Sequence, residues 1–164
     1  DYVLHHPASV SGAVAAAPPL GRLGVPPPLL LLGRIASRLL PRFALRTGMD
    51  LSGLARDPTV IAAVTGDPLF HRWGTARLST EVVLAIARLQ REAPRFTTPL
   101  LLLHGGADRM VLPDGTREFV RRAGGDVTLR EYPDAYHALF ADIGREAPLD
   151  DLVRWIEARL PASP

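Results

Sequence analysis

Pro99-Leu-Leu-Leu-Leu-His-Gly-Gly-Ala-Asp-Arg-Met-Val111 decides how the chain is read. An unbroken leucine run bounded by a proline and a glycine-bearing turn has the length and continuity of a strand buried on both faces. The turn that follows delivers one carboxylate, Asp108. Downstream, Val127, Leu129 and Glu131 alternate as a second strand, and Tyr132-Pro-Asp-Ala-Tyr-His-Ala-Leu-Phe140 delivers one histidine, His137. In open α/β sheets functional groups gather beyond the carboxyl ends of the strands, so both side chains are expected at one sheet edge. A carboxylate bonded to one imidazole nitrogen fixes the ring's tautomer and stabilises the imidazolium that forms when the other nitrogen takes a proton. Acid then histidine makes two members of a nucleophile–His–acid triad. On these residues alone the plainer reading has equal weight: Asp108 turns the chain, and His137 is a satisfied histidine in an aromatic loop.

Working outward, punctuation sets the other elements. Asp1 to His6 reads as a last helical turn closed by Pro7, and Val10 to Ala17 as a short buried strand. Pro26-Pro-Pro introduces a helix from Leu29 to Leu40, with Pro41 just past its end. Its first turn, Leu29 to Leu32, is apolar all round. That describes either a buried helix start, the favoured reading, or the wall of a greasy channel or membrane-facing lid. Asp57 caps a short helix, Ser79 a long one with Val82, Val83, Ile86 and Leu89 in its apolar stripe, and Asp114 a third that exits at Gly124-Gly125. The last helix begins at Pro148, and its Leu149, Leu152, Val153, Ile156 and Leu160 form a face expected to dock on a sheet. Strand–helix alternation implies a parallel, helix-covered sheet of about three strands. Such a sheet leaves Val10–Ala17 as an unpaired apolar edge, or buried against something the sequence does not supply.

Bulk properties exclude more than they assign. The 164 residues suit one domain, and 47% apolar content excludes a disordered chain. All 19 basic residues are arginine, scattered with a net charge of +2, which is not the clustered stripe of a nucleic-acid binder. The absence of cysteine removes disulfides, thiolate metal sites and a cysteine nucleophile together. No stretch approaches the roughly 20 apolar residues needed to span a bilayer, and the start lacks the pattern of a signal peptide. A cytoplasmic protein is expected. The chain opens without methionine, which reads as processing or as the downstream part of something longer.

The strand with His104-Gly-Gly-Ala-Asp-Arg-Met-Val111, followed by Val127-Thr-Leu-Arg-Glu-Tyr-Pro133 and Tyr136-His137, resembles the C-terminal portion of an α/β-hydrolase. Among these it is most similar to the monoacylglycerol lipase and lysophospholipase group. Asp67-Pro-Leu-Phe-His71, within a helical stretch, is similar to that group's cap, and His5-His-Pro-Ala-Ser-Val-Ser-Gly-Ala-Val14 looks like the helix and strand after its nucleophile elbow. The resemblance covers essentially residues 1–164. It implies one partial α/β-hydrolase domain with a helical cap at 18–98, Asp108 as triad acid and His137 as base. It also implies an acyl channel to which Leu29, Leu30, Leu32 and His71 contribute, a lipid ester as substrate, peripheral membrane contact through the cap, and no cofactor.

Two departures qualify it. The family often has glycine ahead of the histidine and an acid after it, where this loop has Ala135-Tyr136 and Ala138. More consequentially, none of Ser9, Ser11, Ser37, Ser52, Ser79 and Ser163 stands in a Gly-x-Ser-x-Gly. The nucleophile and the oxyanion donors that accompany it are therefore expected from an N-terminal half of the fold outside this sequence, and the chain alone is expected to be inactive. Two alternatives stay open: a non-catalytic lipid- or partner-binding domain, and part of a dehalogenase- or epoxide-hydrolase-like enzyme. His5 and His6 read as helix-terminus residues and His104 as a structural hydrogen-bonder. No histidine pair has metal-ligand spacing, so no metal is expected.

Overall fold

The computed structural model describes residues 1–21, 27–46 and 49–160. A single helical turn, α1 (Tyr2–His5), ends before Pro7, and the first strand, β1 (Ala13–Ala16), follows. Next come α2 (Pro27–Leu39), β2 (Ala44–Arg46), α3 (Pro58–Gly66), β3 (Trp73–Thr75) and α4 (Ala76–Glu92). The chain finishes with β4 (Leu100–Gly105), α5 (Asp114–Arg122), β5 (Val127–Tyr132) and α6 (Glu146–Glu157).

The main sheet is parallel, in the order β1-β4-β5. Ala13 to Ala16 pair with Leu100 to Leu103, and Leu100 to Gly105 pair with Val127 to Tyr132. β4 is central and wholly buried, which is why its sequence is apolar without alternation. Its leucines nevertheless divide by strand geometry, because successive side chains point to opposite faces. Leu100 and Leu102 join Leu20, Ala93, Phe96 and Phe119 on one side, with Phe96 and Phe119 edge to face at 5.7 Å. Leu101 and Leu103 join Ala135 and Leu139 on the other, covered by Leu152 and Trp155 of α6.

Several expectations need correction. β1 is shorter than Val10–Ala17 and is half-exposed, not buried, because it pairs only with β4 among the described residues. The long helix begins at Ala76, with Thr75 and not Ser79 as its cap: Thr75 Oγ1 accepts from Leu78 N–H at 3.1 Å. Two hydroxyl residues compete there, and Thr75 prevails because β2–β3 pairing already holds it extended, as a cap requires. Those two strands of three residues each escape a periodicity search. Asp114 is the first residue inside α5 and not its cap; its carboxylate meets Arg117 Nη1 at 3.0 Å while still lying at the helix's positive end. The expected Asp57 cap is present, accepting from Thr59 N–H at 2.8 Å.

The final helix starts two residues before Pro148, which a first turn tolerates because its N–H would be unbonded anyway. Only part of its expected face docks. Pro148, Leu152 and Trp155 meet the sheet side, whereas Leu149, Val153, Ile156 and Leu160 stand between 39% and 62% exposed. The stripe is two rows wide, and the sheet reaches one of them. The favoured reading of α2 also fails: Leu31 and Leu32 are 61% and 62% exposed. This helix packs on α4 and hides Gly33, Ala36 and Ser37 more than its leucines. The side chains of Leu29 and Leu30 lie outside the described residues.

Candidate active site

The turn after β4 places Asp108 where burial and hydrogen bonding together define one ionisation state. Its Oδ1 accepts from the backbone N–H groups of Met110 at 2.8 Å and Val111 at 2.9 Å, so the turn closes on the carboxylate itself. Its Oδ2 lies 2.8 Å from Nδ1 of His137. Burial alone would raise the Asp108 carboxyl. Bonds to His104, His137 and the Val111 amide, with the charge of His137, outweigh it and hold the group well below its ordinary 3.8. A carboxylate only accepts, so Nδ1 of His137 carries the proton, and in the neutral ring Nε2 keeps its lone pair. That nitrogen has no hydrogen-bond partner among the described residues, and the side chain is 28% exposed.

Beneath the pair sits His104, fully buried, the last side chain of β4 before its glycine. Its Nε2 is 2.9 Å from the Val111 carbonyl and its Nδ1 2.9 Å from Thr116 Oγ1. The carbonyl accepts only, so Nε2–H donates and Nδ1 accepts from the Thr116 hydroxyl. The same Nε2 stands 3.5 Å from Asp108 Oδ2. The structural role expected of His104 is therefore the one it has, at the back of the acid.

Glycines make the close approach of the loops possible. A Cβ on Gly105 would lie 2.4 Å from the carbonyl oxygens of both Ala135 and Tyr136, and one on Gly106 2.8 Å from that of Pro133. The histidine loop therefore rests directly on the backbone at the end of β4. From the other side, residues 51–56 run along the loop: His137 N–H points to the Gly53 carbonyl at 3.4 Å, and Ala138 N–H donates to the Leu54 carbonyl at 2.8 Å. Arg109 stacks over Tyr136 at 5.0 Å and donates to the Ser52 carbonyl at 2.9 Å.

The structure thus brings Asp108 and His137 together. It does not tie Leu32 or His71 to them: Leu32 is exposed on α2, and His71 is exposed with Nδ1 accepting from Trp73 N–H at 3.3 Å. Among the described residues no three His, Cys, Asp or Glu side chains converge as a metal site would. Sequence reading missed Arg56, Arg109 and Asp142. They carry no periodicity, and only the fold shows that they border the histidine loop.

Comparison with known proteins gives the chain its relatives. The monoacylglycerol lipase of Mycolicibacterium smegmatis is 32% identical over 165 residues, which takes in 97% of this chain and 58% of the relative. Human monoglyceride lipase is 29% identical over 134 residues, 79% of this chain and 44% of the relative. The crystal structure of Paleococcus ferrophilus monoacylglycerol lipase superposes with a TM-score of 0.91 at 30% identity, covering 97% of this chain and 63% of that one. The chain accordingly spans only part of the length of these relatives. The family model described as "Serine aminopeptidase, S33" (Hydrolase_4) matches residues 1–144. With most of its length inside that match and the sheet in the expected parallel arrangement, the chain belongs to this serine hydrolase family and carries part of an α/β-hydrolase fold.

Proposed function

We propose that this chain supplies the acid and base of a serine hydrolase acting on carboxylic esters of lipids, monoacylglycerols among them. The observation that carries the reading is the His137–Asp108 bond of 2.8 Å, which leaves Nε2 without a partner among the described residues on a side chain 28% exposed. A serine on a Gly-x-Ser-x-Gly turn upstream of Asp1 attacks the ester carbonyl while Nε2 of His137 takes its proton. Asp108 stabilises the imidazolium, and His137 returns the proton to the departing alkoxide. Water then repeats the sequence on the acyl-enzyme, releasing the fatty acid. The oxyanion donors come with the upstream segment, so the chain by itself is inactive.

In this reading residues 18–98 form a cap over the acyl chain, and the segments that carry Leu29, Leu30, Leu32 and His71 contribute to the acyl channel. The exposed leucines of α2 favour a greasy partner. Arg34, Arg38 and Arg42 lie among them, and no acidic residue occurs between Asp1 and Asp50, which suits contact with an anionic membrane surface. The upstream half seats against β1, whose outer edge is unpaired among the described residues.

A fluorophosphonate probe tests the reading. The polypeptide extended upstream through the elbow is labelled on the elbow serine and hydrolyses monoacylglycerol, and His137→Ala abolishes both. Labelling of any of the six serines in the isolated chain would overturn the proposal that the nucleophile lies outside it.

A further inference from the structure

Asp142 is a buried carboxylate that the catalytic sequence above does not use. Its side chain is 1% exposed, and its bonds converge on both sides of His137. Oδ2 accepts from Tyr136 N–H at 3.1 Å, immediately before the histidine, and the Asp142 amide donates to the Ala138 carbonyl at 2.9 Å, immediately after it. Arg56, which precedes α3, supplies two more donors: its backbone N–H meets Oδ1 at 2.7 Å and its Nε–H meets Oδ2 at 3.0 Å. Arg56 Nη2 also donates to the Ile143 carbonyl. One carboxylate therefore closes the histidine loop upon itself and ties it to residues 53–56, whose carbonyls receive the amides of His137 and Ala138.

We infer that Asp142, through Arg56, is a positioning residue for His137: it sets the loop so that Nδ1 stays aligned on Asp108 and Nε2 faces outward. The physical case is one of constraint. Asp108 holds the imidazole at one nitrogen only, and a ring pinned at one point still pivots with its backbone. The backbone is held by the Tyr136–Asp142 bond and by the amide bonds of His137 and Ala138 to the Gly53 and Leu54 carbonyls. A shift of about 1 Å in a reacting group costs on the order of a hundredfold in rate, and in metal sites the partners that orient a ligating side chain matter by about ten- to a hundredfold. Burial would raise the Asp142 carboxyl, but the amides of Tyr136, Arg56 and Ile143 and the Arg56 guanidinium keep it below the ordinary carboxylate range, so it remains an acceptor for all of these donors at neutral pH.

The inference rests on the hydrolase reading for its kinetic arm and stands apart from it for its spectroscopic arm. Asp142→Asn keeps the side chain's size but turns one oxygen into an amide donor, so it faces the donors of Arg56 or Tyr136. In the polypeptide carrying its nucleophile, the variant is expected to lose kcat about ten- to a hundredfold with KM within about threefold. The low-field proton on His137 Nδ1, seen by NMR, moves or exchanges away in the same variant. Arg56→Lys retains the backbone bond and the charge and is expected to lose less; Arg56→Met carries the test if Asp142→Asn does not fold. A folded Asp142→Asn with unchanged kcat and an unmoved Nδ1 resonance overturns the inference, as does a loss confined to KM. Absence of ester hydrolysis in the parent polypeptide would instead overturn the function, and the resonance would still decide the role of Asp142.

Discussion

The corner beyond β4 and β5 and the flank formed by β1 and α6 rest on the same sheet, yet they treat burial in opposite ways. In the corner every buried carboxylate is answered: Asp108 by two amides and the imidazoles of His104 and His137, Asp142 by three amides and a guanidinium. On the flank, Val14, Ile156 and Leu160 border an open groove of about 250 Å³ shared with Trp155, whose Nε1 is buried with no partner among the described residues. A polar group left so is rare in finished interiors. The difference teaches where order originates. The hydrogen bonds that hold the acid–base pair come from residues 51–142 of this chain. The flank has apolar surface and an open sheet edge that the described residues do not cover.

The comparison breaks first, if it breaks, at Gly105. Alanine there would drive a Cβ into two backbone carbonyls 2.4 Å away, and neither belongs to a flexible side chain. Gly105→Ala is expected to cost about 1–3 kcal/mol in urea unfolding, the range of overpacked interiors. The strain falls on the histidine loop, so amide exchange at residues 135–138 should quicken while that of β1 stays unchanged. A substitution without effect on either would mean that the corner is loosely packed and the contrast with the flank false.

How far the sequence spoke for each region follows from the signals each region carries. Leu100 to Leu103 declared itself because a strand covered on both faces needs no polar alternation, and Asp108 and His137 because chain order puts both beyond parallel strands. The flank misled. Leu149, Val153, Ile156 and Leu160 have helical spacing, and spacing says that a face is apolar without saying what meets it. The same limit misplaced the leucines of α2. Arg56 and Asp142 were silent for another reason: they pair across 86 positions, and a single buried ion pair leaves no local pattern.

Acid sharpens the corner next. The Asp108 carboxyl is depressed in the folded chain, so its stabilisation is complete above the ordinary 3.8 and drains away as pH falls through and below that value, where the folded state must take up the proton late. Asp108→Asn removes one such group, and the acid limb of stability should flatten by at most about 1.4 kcal/mol per pH unit. Asp142, also depressed, keeps a share of the slope in that variant. Equilibrium unfolding between pH 2.5 and 5 measures it, and identical limbs would mean that Asp108 titrates alike in both states.

The flank answers with the smallest effect, and its smallness is the test. Leu160 is 62% exposed and Ile156 39%, so serine removes little buried area from this chain at Leu160 and more at Ile156. The shift in unfolding should be no more than about 0.5 kcal/mol at Leu160, as surface changes give, and about 1 kcal/mol at Ile156. If the proposed upstream half seats on β1 and reaches over this row, the same substitutions in the longer polypeptide bury a hydroxyl where a hydrocarbon belongs. The cost then rises to about 1.5–3 kcal/mol, the transfer free energy of a branched aliphatic side chain. Equal small costs in both contexts would show the row to be ordinary surface. A cost that grows with the added segment would place the cover where the open edge of β1 and the unpaired Trp155 Nε1 call for it.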